Sequence, residues 1–355
     1  MKLKFLSIIT LFLLVFTSCD DNIIFEYEGD CTDKYYLQFV YDMNLKWADA
    51  FPSEVHSVNV YAFNEDGVFV KEFTAKDPAV GVPGYKMFLD LPAGKYKFVG
   101  WCGLDNDVKD ESFSVPVMTP GKSTYNDLTC SLNTKTDENG NLYSNDRIYF
   151  MYHGMIDVEL PDVRDGLEYV YTMPLTKDTN HIRVMVQQQS NDILAEDLII
   201  KIASDNSVMN YNNSLLGNKV VTYYPWYMET EVLGYGSNEG TDETKADEPK
   251  EYRGVVADLS TCRLMASMTN NFDLRISKAD TGKDLIFNVP FIKYALMAKP
   301  YYETAYGHVM DNQEFLDRQD EYVVSFFLDE NMKWLYTEIQ ILDWRLVIHN
   351  YEVGS

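Results

Sequence analysis

"SVNVYAFNEDGVFVKEF", residues 57–73, decides the fold class. Val58, Val60 and Ala62 fall on one face and Tyr61 with Phe63 on the other, the period-two pattern of a strand. Asn64-Glu65-Asp66-Gly67 then supplies turn residues and residues 68–73 return, so the stretch reads as a β-hairpin. The pattern recurs at 85–101, where Met87, Leu89 and Leu91 share a face, Pro92-Ala93-Gly94 turns the chain, and Tyr96, Phe98 and Val99 lead to Trp101. "HIRVMV" (181–186), "LIIKIAS" (198–204), "CRLMASM" (262–268), "FDLRIS" (272–277) and "LIFNVPF" (285–291) read as further strands. So do "EYVVSFFL" (321–328), "KWLYTEIQIL" (333–342) and "DWRLVIHN" (343–350), and only "DNQEFLDRQDE" (311–321) reads as a short helix or loop. Strands separated by turn signals about every ten residues predict an all-β chain of antiparallel sandwiches.

At 355 residues the chain is long for one sandwich and comfortable for two. The polar step "PDVRDGLE" (161–168) places the boundary, giving an N-terminal β-sandwich domain over 31–165 and a C-terminal one over 166–355. "YGSNEGTDETKADEPKEYRG" (235–254) has almost no apolar residues and reads as a surface loop.

The first residues carry a different message. Lys2 and Lys4 precede an apolar run over residues 5–16, too short for the roughly twenty residues of a spanning helix but right for a secretory signal. Thr17-Ser18-Cys19 is similar to a bacterial lipobox, in which the Cys thiol is diacylated and the chain is cut before it. Residues 1–18 are then the signal peptide, Cys19 the lipidated first residue and 19–30 a tether. Removing 1–18 takes away two lysines and no acid, so the formal charge of -25 becomes about -27. A surface this acidic argues against nucleic acid and anionic lipid as partners. Cys31, Cys102, Cys130 and Cys262 remain. One disulfide within the first three and buried free thiols are both open readings.

The search for reactive chemistry ends without a site. His56, His153, His181, His308 and His349 form no H-E-x-x-H and no close pair; Gly234, Gly236 and Gly240 lie in the polar loop, and there is no G-x-S-x-G. The expectation is no enzyme, no cofactor and no metal. Loops 105–111 and 137–141 match calcium sites only loosely, since Gly140 directly follows Asn139 as it would in a plain turn. In "YYPWY", Tyr223, Trp226 and Tyr227 are candidates for an exposed platform on sugar rings, with core packing the alternative.

Taken together, several stretches resemble the fimbrillin-associated anchor proteins of the FimB/Mfa2 family. They are Cys19, "DCTDKYYLQFVYDMN" (30–44), the hairpin, "LPAGKYKFVGW" (91–101), "LTKDTNHIRV" (175–184), "ISKADTGKDLI" (276–286), "EFLDRQDEYVVSFFL" (314–328) and "WLYTEIQILDWRLVIHN" (334–350). Their order, over nearly the whole mature chain, carries the likeness. Leu342-Asp343-Trp344 departs from it, since family members often have Asn-Gly before that Trp. Asp20 and Asp21 resemble the acidic cluster after the Cys in surface-displayed lipoproteins of Bacteroidetes-type bacteria. The resemblance implies two tandem transthyretin-like antiparallel β-sandwich domains and a base subunit lipid-anchored in the outer membrane. Such a subunit keeps its own N-terminal strand and donates a strand to fimbrial shaft subunits. Ile339, Ile341, Trp344, Leu346 and Ile348 carry the apolar load a donor needs, and a native strand of the second domain is the competing reading. The rival function is a surface glycan-binding lipoprotein that presents Tyr223, Trp226 and Tyr227.

Overall fold

The structure, a computed structural model, describes residues 32–104, 112–163, 166–188, 191–236, 250–268, 271–341 and 344–349. The chain is all-β, as its strand spacing predicts. The first half contributes β1 (Lys34–Val40), β2 (Ser57–Asn64), β3 (Phe69–Lys76), β4 (Lys86–Phe88), β5 (Gly94–Cys102), β6 (Phe113–Ser114), β7 (Thr129–Leu132), β8 (Lys135–Thr136), β9 (Leu142–Ser144) and β10 (Tyr152–Leu160). There follow β11 (Glu168–Lys177), β12 (Thr179–Gln188), β13 (Leu198–Ser204), β14 (Val208–Asn210), β15 (Val221–Tyr223), β16 (Tyr227–Gly236), β17 (Lys250–Cys262), β18 (Phe272–Lys278) and β19 (Asp284–Val289). The chain ends in β20 (Glu321–Leu328), β21 (Trp334–Ile341) and β22 (Trp344–His349).

Among the described residues α-helix is confined to α1 (Phe51–Glu54), α2 (Phe291–Leu296), α3 (Lys299–Tyr306) and α4 (Asn312–Arg318), with single 3-10 turns at Tyr125–Asp127 and Ala195–Asp197. α4 falls in the stretch 311–321 that the sequence leaves open as a short helix or a loop. It is capped by Asp311, whose carboxylate accepts from the Glu314 N–H at 2.7 Å. By contrast, "LIFNVPF" is strand only as far as Val289, because Pro290 ends the ladder and Phe291 opens α2.

A seven-stranded sheet runs β3-β2-β5-β10-β11-β1-β4, with β1 and β11 parallel and its other pairs antiparallel. β11 lies past the 165/166 boundary expected from the sequence, yet it pairs with β10 and β1, so the chain changes sheets at Asp178. Two six-stranded sheets, β16-β17-β12-β20-β21-β22 and β19-β18-β13-β15-β9-β8, pack across a core that includes Ile182, Val184, Leu259 and Phe326 from one and Ile200, Ile202, Tyr223 and Leu274 from the other. Each contains one parallel pair, β12 with β20 and β15 with β9. A three-stranded sheet, β14-β7-β6, completes the set.

The opening hairpin is β2–β3, and its two faces serve two cores. Val58, Val60 and Ala62 face one core with Leu37 and Phe98; Tyr61 and Phe63 face another with Trp101 and Phe113. That second core continues without a break into the C-terminal sandwich, and β8 and β9, from before the expected boundary, pair into its sheet. Cys102 and Cys262 are buried free thiols and Cys130 is also buried, while Cys31 lies outside the described residues. Burial pushes the Cys262 thiol up to about 12.

One close approach holds the seam where β5 ends. Gly103 has φ +109°, and a Cβ there would lie 2.1 Å from the carbonyl oxygen of Phe150. Gly103→Ala is therefore expected to destabilise by about 2–4 kcal/mol, combining a left-handed backbone with a main-chain clash. Urea unfolding midpoints measure this; an unchanged midpoint would mean that the 150 backbone yields freely.

Candidate functional site

Three regions bear on function: the C-terminal edge, the junction between the halves, and the aromatic segment after β15. At the edge, β21 lies between β20 and β22, and β22 pairs with β21 alone. The five donor candidates therefore sit in a hairpin of the chain's own sheet. Ile339 is 2% exposed and belongs to the core. In the β21–β22 register Ile341 is opposite Trp344, and Ile339 is opposite Leu346. On β22, Leu346 and Ile348 are half-buried whereas Arg345 and Val347 are exposed, the alternation of a strand with one face on the core. Arg345 closes the hairpin with an ion pair to Glu338.

The junction is fastened by residues 316–320, within the 314–328 stretch that carries part of the family resemblance. Asp317 holds the Arg263 guanidinium through both oxygens, at 2.9 and 2.7 Å. Arg318 lies over the Trp47 ring, 3.7 Å from its centre, and donates to the carbonyls of Asp42 at 2.9 Å and Asn44 at 3.3 Å. Asp320 takes the Lys177 ammonium, which also lies 3.4 Å from Glu54 Oε2 and over the Phe150 ring. Tyr152 donates to the same Glu54 at 3.1 Å. Arg318 thus ties α4 to the loop after β1, and Asp320, through Lys177, meets α1 and β10. Nothing in residue spacing marks these hydrogen-bonded partners, which lie from 54 to 276 positions apart.

At the point where the chain changes sheets, Asp178 is wholly buried, accepting from Asn213 Nδ2 at 2.8 Å with Arg263 Nε at 3.7 Å. Burial pushes its carboxyl up to about 7 against the pull of Arg263 and Asn213. Because the folded value lies above the ordinary 3.8, the folded chain holds this proton more tightly than the unfolded one. Its contribution to stability is complete below about pH 4 and is lost as pH rises through about 7. The thermal midpoint of the native protein is expected to fall between pH 5 and 8, and that of Asp178→Asn to fall less. Calorimetry at both pH values checks this, and equal slopes would place the titration elsewhere.

The aromatic candidates separate. Tyr223 is wholly buried and donates to Asn206 Oδ1 at 2.7 Å, so it is a core residue and not part of a display surface. Trp226 and Tyr227 are half-buried. Tyr227 donates to Glu231 at 2.6 Å, a bond that pushes its hydroxyl up to about 12, and the Arg147 guanidinium lies 5.4 Å from the Trp226 ring centre. In the 137–141 loop, Asp137 accepts from the backbone N–H groups of Asn139 and Asn141, both at 2.8 Å, and from Asn141 Nδ2 at 2.9 Å, closing its own turn. Loop 105–111, the centre of the 235–254 loop and Cys19 lie outside the described residues. No described helix is long and apolar enough to cross a membrane.

Comparison with known proteins adds the context. A family model for fimbrillin-A associated anchor proteins Mfa1 and Mfa2 matches residues 27–350. The minor fimbrium anchoring subunit Mfa2 of Porphyromonas gingivalis is 26% identical over 220 residues, 61% of this chain and 63% of that protein, so the match spans a little under two thirds of that relative's length. A candidate adhesin of Bacteroides thetaiotaomicron is 30% identical with a TM-score of 0.72, covering 89% of this chain and 97% of the other. A candidate polysaccharide-binding protein of the same species is 27% identical with a TM-score of 0.71, over 90% and 99%. The fimbrial anchor protein Mfa2 from Porphyromonas gingivalis shares the fold, with a TM-score of 0.62 at 18% identity over 90% and 99%.

Proposed function

The chain belongs to the family of fimbrillin-A associated anchor proteins Mfa1 and Mfa2, and from that premise we propose that it is the lipid-anchored base subunit of a cell-surface fimbria. Acylated Cys19 ties it to the outer membrane, and shaft subunits join it by strand donation. The observation that carries this reading is the family match over residues 27–350 together with a last strand, β22, held at a sheet edge by a single neighbour. Strand addition draws affinity from main-chain hydrogen bonds and specificity from alternate side chains in pockets. Leu346 and Ile348, two residues apart on one face of β22, have the spacing that mode requires. The position of β1 also fits an anchor that keeps its N-terminal strand, since it lies inside its sheet between β11 and β4.

Immunogold labelling on intact cells tests the proposal. Label is expected at the cell-proximal end of filaments, and label spread along shafts or absent from filaments would overturn it. A glycan-binding lipoprotein that presents Tyr223, Trp226 and Tyr227 as a platform is the less supported reading, because Tyr223 lies in the core.

A further inference from the structure

Near the junction, where β12, β17 and β20 run side by side, lies a cavity of about 260 Å³. Ten buried side-chain nitrogen and oxygen atoms lack a hydrogen-bond partner among the described residues, and three of them, Thr179 Oγ1, His181 Nε2 and Trp226 Nε1, belong to residues that line this one cavity. Each unmet atom costs about 1–3 kcal/mol. Buried polar groups are almost always satisfied, so a cluster of exceptions around a cavity marks a place for a polar occupant. His181 Nε2 stands 3.3 Å from Asp258 Oδ1 but out of hydrogen-bonding alignment. Both oxygens of Asp258 are held by Arg183, at 2.8 and 2.9 Å. Although burial opposes ionisation there, Arg183 and His181 keep the Asp258 carboxyl well below the usual carboxylate range, so it remains an acceptor. Arg147, exposed beside Trp226, has no ion partner among the described residues.

The lining selects among ligand classes. An anion would meet Asp258, Asp320 and Glu321, a cation would meet Arg147 and Arg183, and an apolar ligand would leave the three atoms unmet. A peptide adding as a strand needs an open edge, whereas β12, β17 and β20 each have neighbours on both sides. What remains is a neutral molecule with many hydroxyls, able to accept from Trp226 and Arg147 and to donate to Asp258. The volume is below that of drug-sized pockets, which fits one ring and not a chain. We propose that this cavity is a saccharide site that takes a single neutral hexose-sized unit, with Thr179, His181, Trp226 and Asp258 as its polar contacts and Arg147 at its rim. The proposal is independent of the anchor role.

Saturation-transfer NMR on the whole protein tests it, with glucose, galactose, mannose and N-acetylglucosamine as separate probes and triglycine as the peptide comparison. At least one sugar is expected to show transfer, with affinity in about the millimolar range. Trp226→Phe, which keeps a ring but removes the N–H, and Thr179→Val are each expected to weaken it about tenfold. Where Thr179→Val disturbs folding, Arg147→Ala, at an exposed position, serves instead with the same expected loss. Absence of transfer from all four sugars overturns the proposal. So does a sugar signal unchanged in the correctly folded variants, or binding of triglycine without any sugar.

Discussion

Cys19→Ala is expected to move the protein from the membrane fraction into the soluble fraction and to leave filaments without a hold on the cell. The only long apolar run in the sequence is the short one before Cys19, and no described helix can cross a bilayer. On the proposed reading, membrane retention depends on acyl chains at the Cys19 sulfur. Each buried methylene contributes about 0.8 kcal/mol, and one chain binds only reversibly while two or more hold firmly. The rest of the mature surface works the other way, since a charge near -27 is repelled by anionic lipid. The expected result is therefore nearly complete release. Cell fractionation and mass spectrometry of the amino-terminal peptide measure it, and retention of the alanine variant on membranes, or an unmodified native peptide, would refute the lipid anchor.

Deleting residues 344–355 is expected to abolish shaft attachment while leaving most of the fold. β22 pairs with β21 alone, and its inward residues Leu346 and Ile348 are only half-buried, so its removal costs less than that of a full core strand. Ile339→Ala gives the contrast. That side chain is 2% exposed in β21, and its truncation is expected to cost about 2–5 kcal/mol. If shaft attachment follows donation, the deletion releases filaments into the medium with a small fall in thermal midpoint, and Ile339→Ala shows the reverse. Filaments retained at the native level by the truncated protein would refute strand donation from β22.

Much of the fold was legible in local alternation, because a strand with one side on a core announces itself every second residue. The 57–73 hairpin is more informative than most, since both of its faces are apolar, and the structure places a core against each. β11 was harder. Its first half, over residues 168–172, alternates between exposed and half-buried positions, and that alternation does not say which sheet the strand joins. The helices α2 and α3 were hidden by "FIKYALMAKPYYETAYG" (291–307), whose aromatic content resembles strand, although Pro300 at the first turn of α3 and left-handed Gly307 at its end are ordinary helix boundaries. Of the site candidates, the terminal apolar residues were readable as a strand, but not whether that strand stays home. Tyr223 was readable as aromatic, but burial is a property of its neighbours, Asn206 among them. The cavity near the junction depends on residues from 147 to 321 and leaves no trace in spacing.

The setting of β1 has a mechanical consequence. If residues 19–30 act as the proposed tether, they lead toward β1, which runs from Lys34 parallel to β11 over seven paired residues, with β4 on its other side. A tug on the tether is directed along the strand, so the bonds to β11 resist together in shear and do not open one at a time as in a zipper. Under the proposed lipid anchor, a filament straining in flow would load this strand pair lengthwise on the side facing the cell.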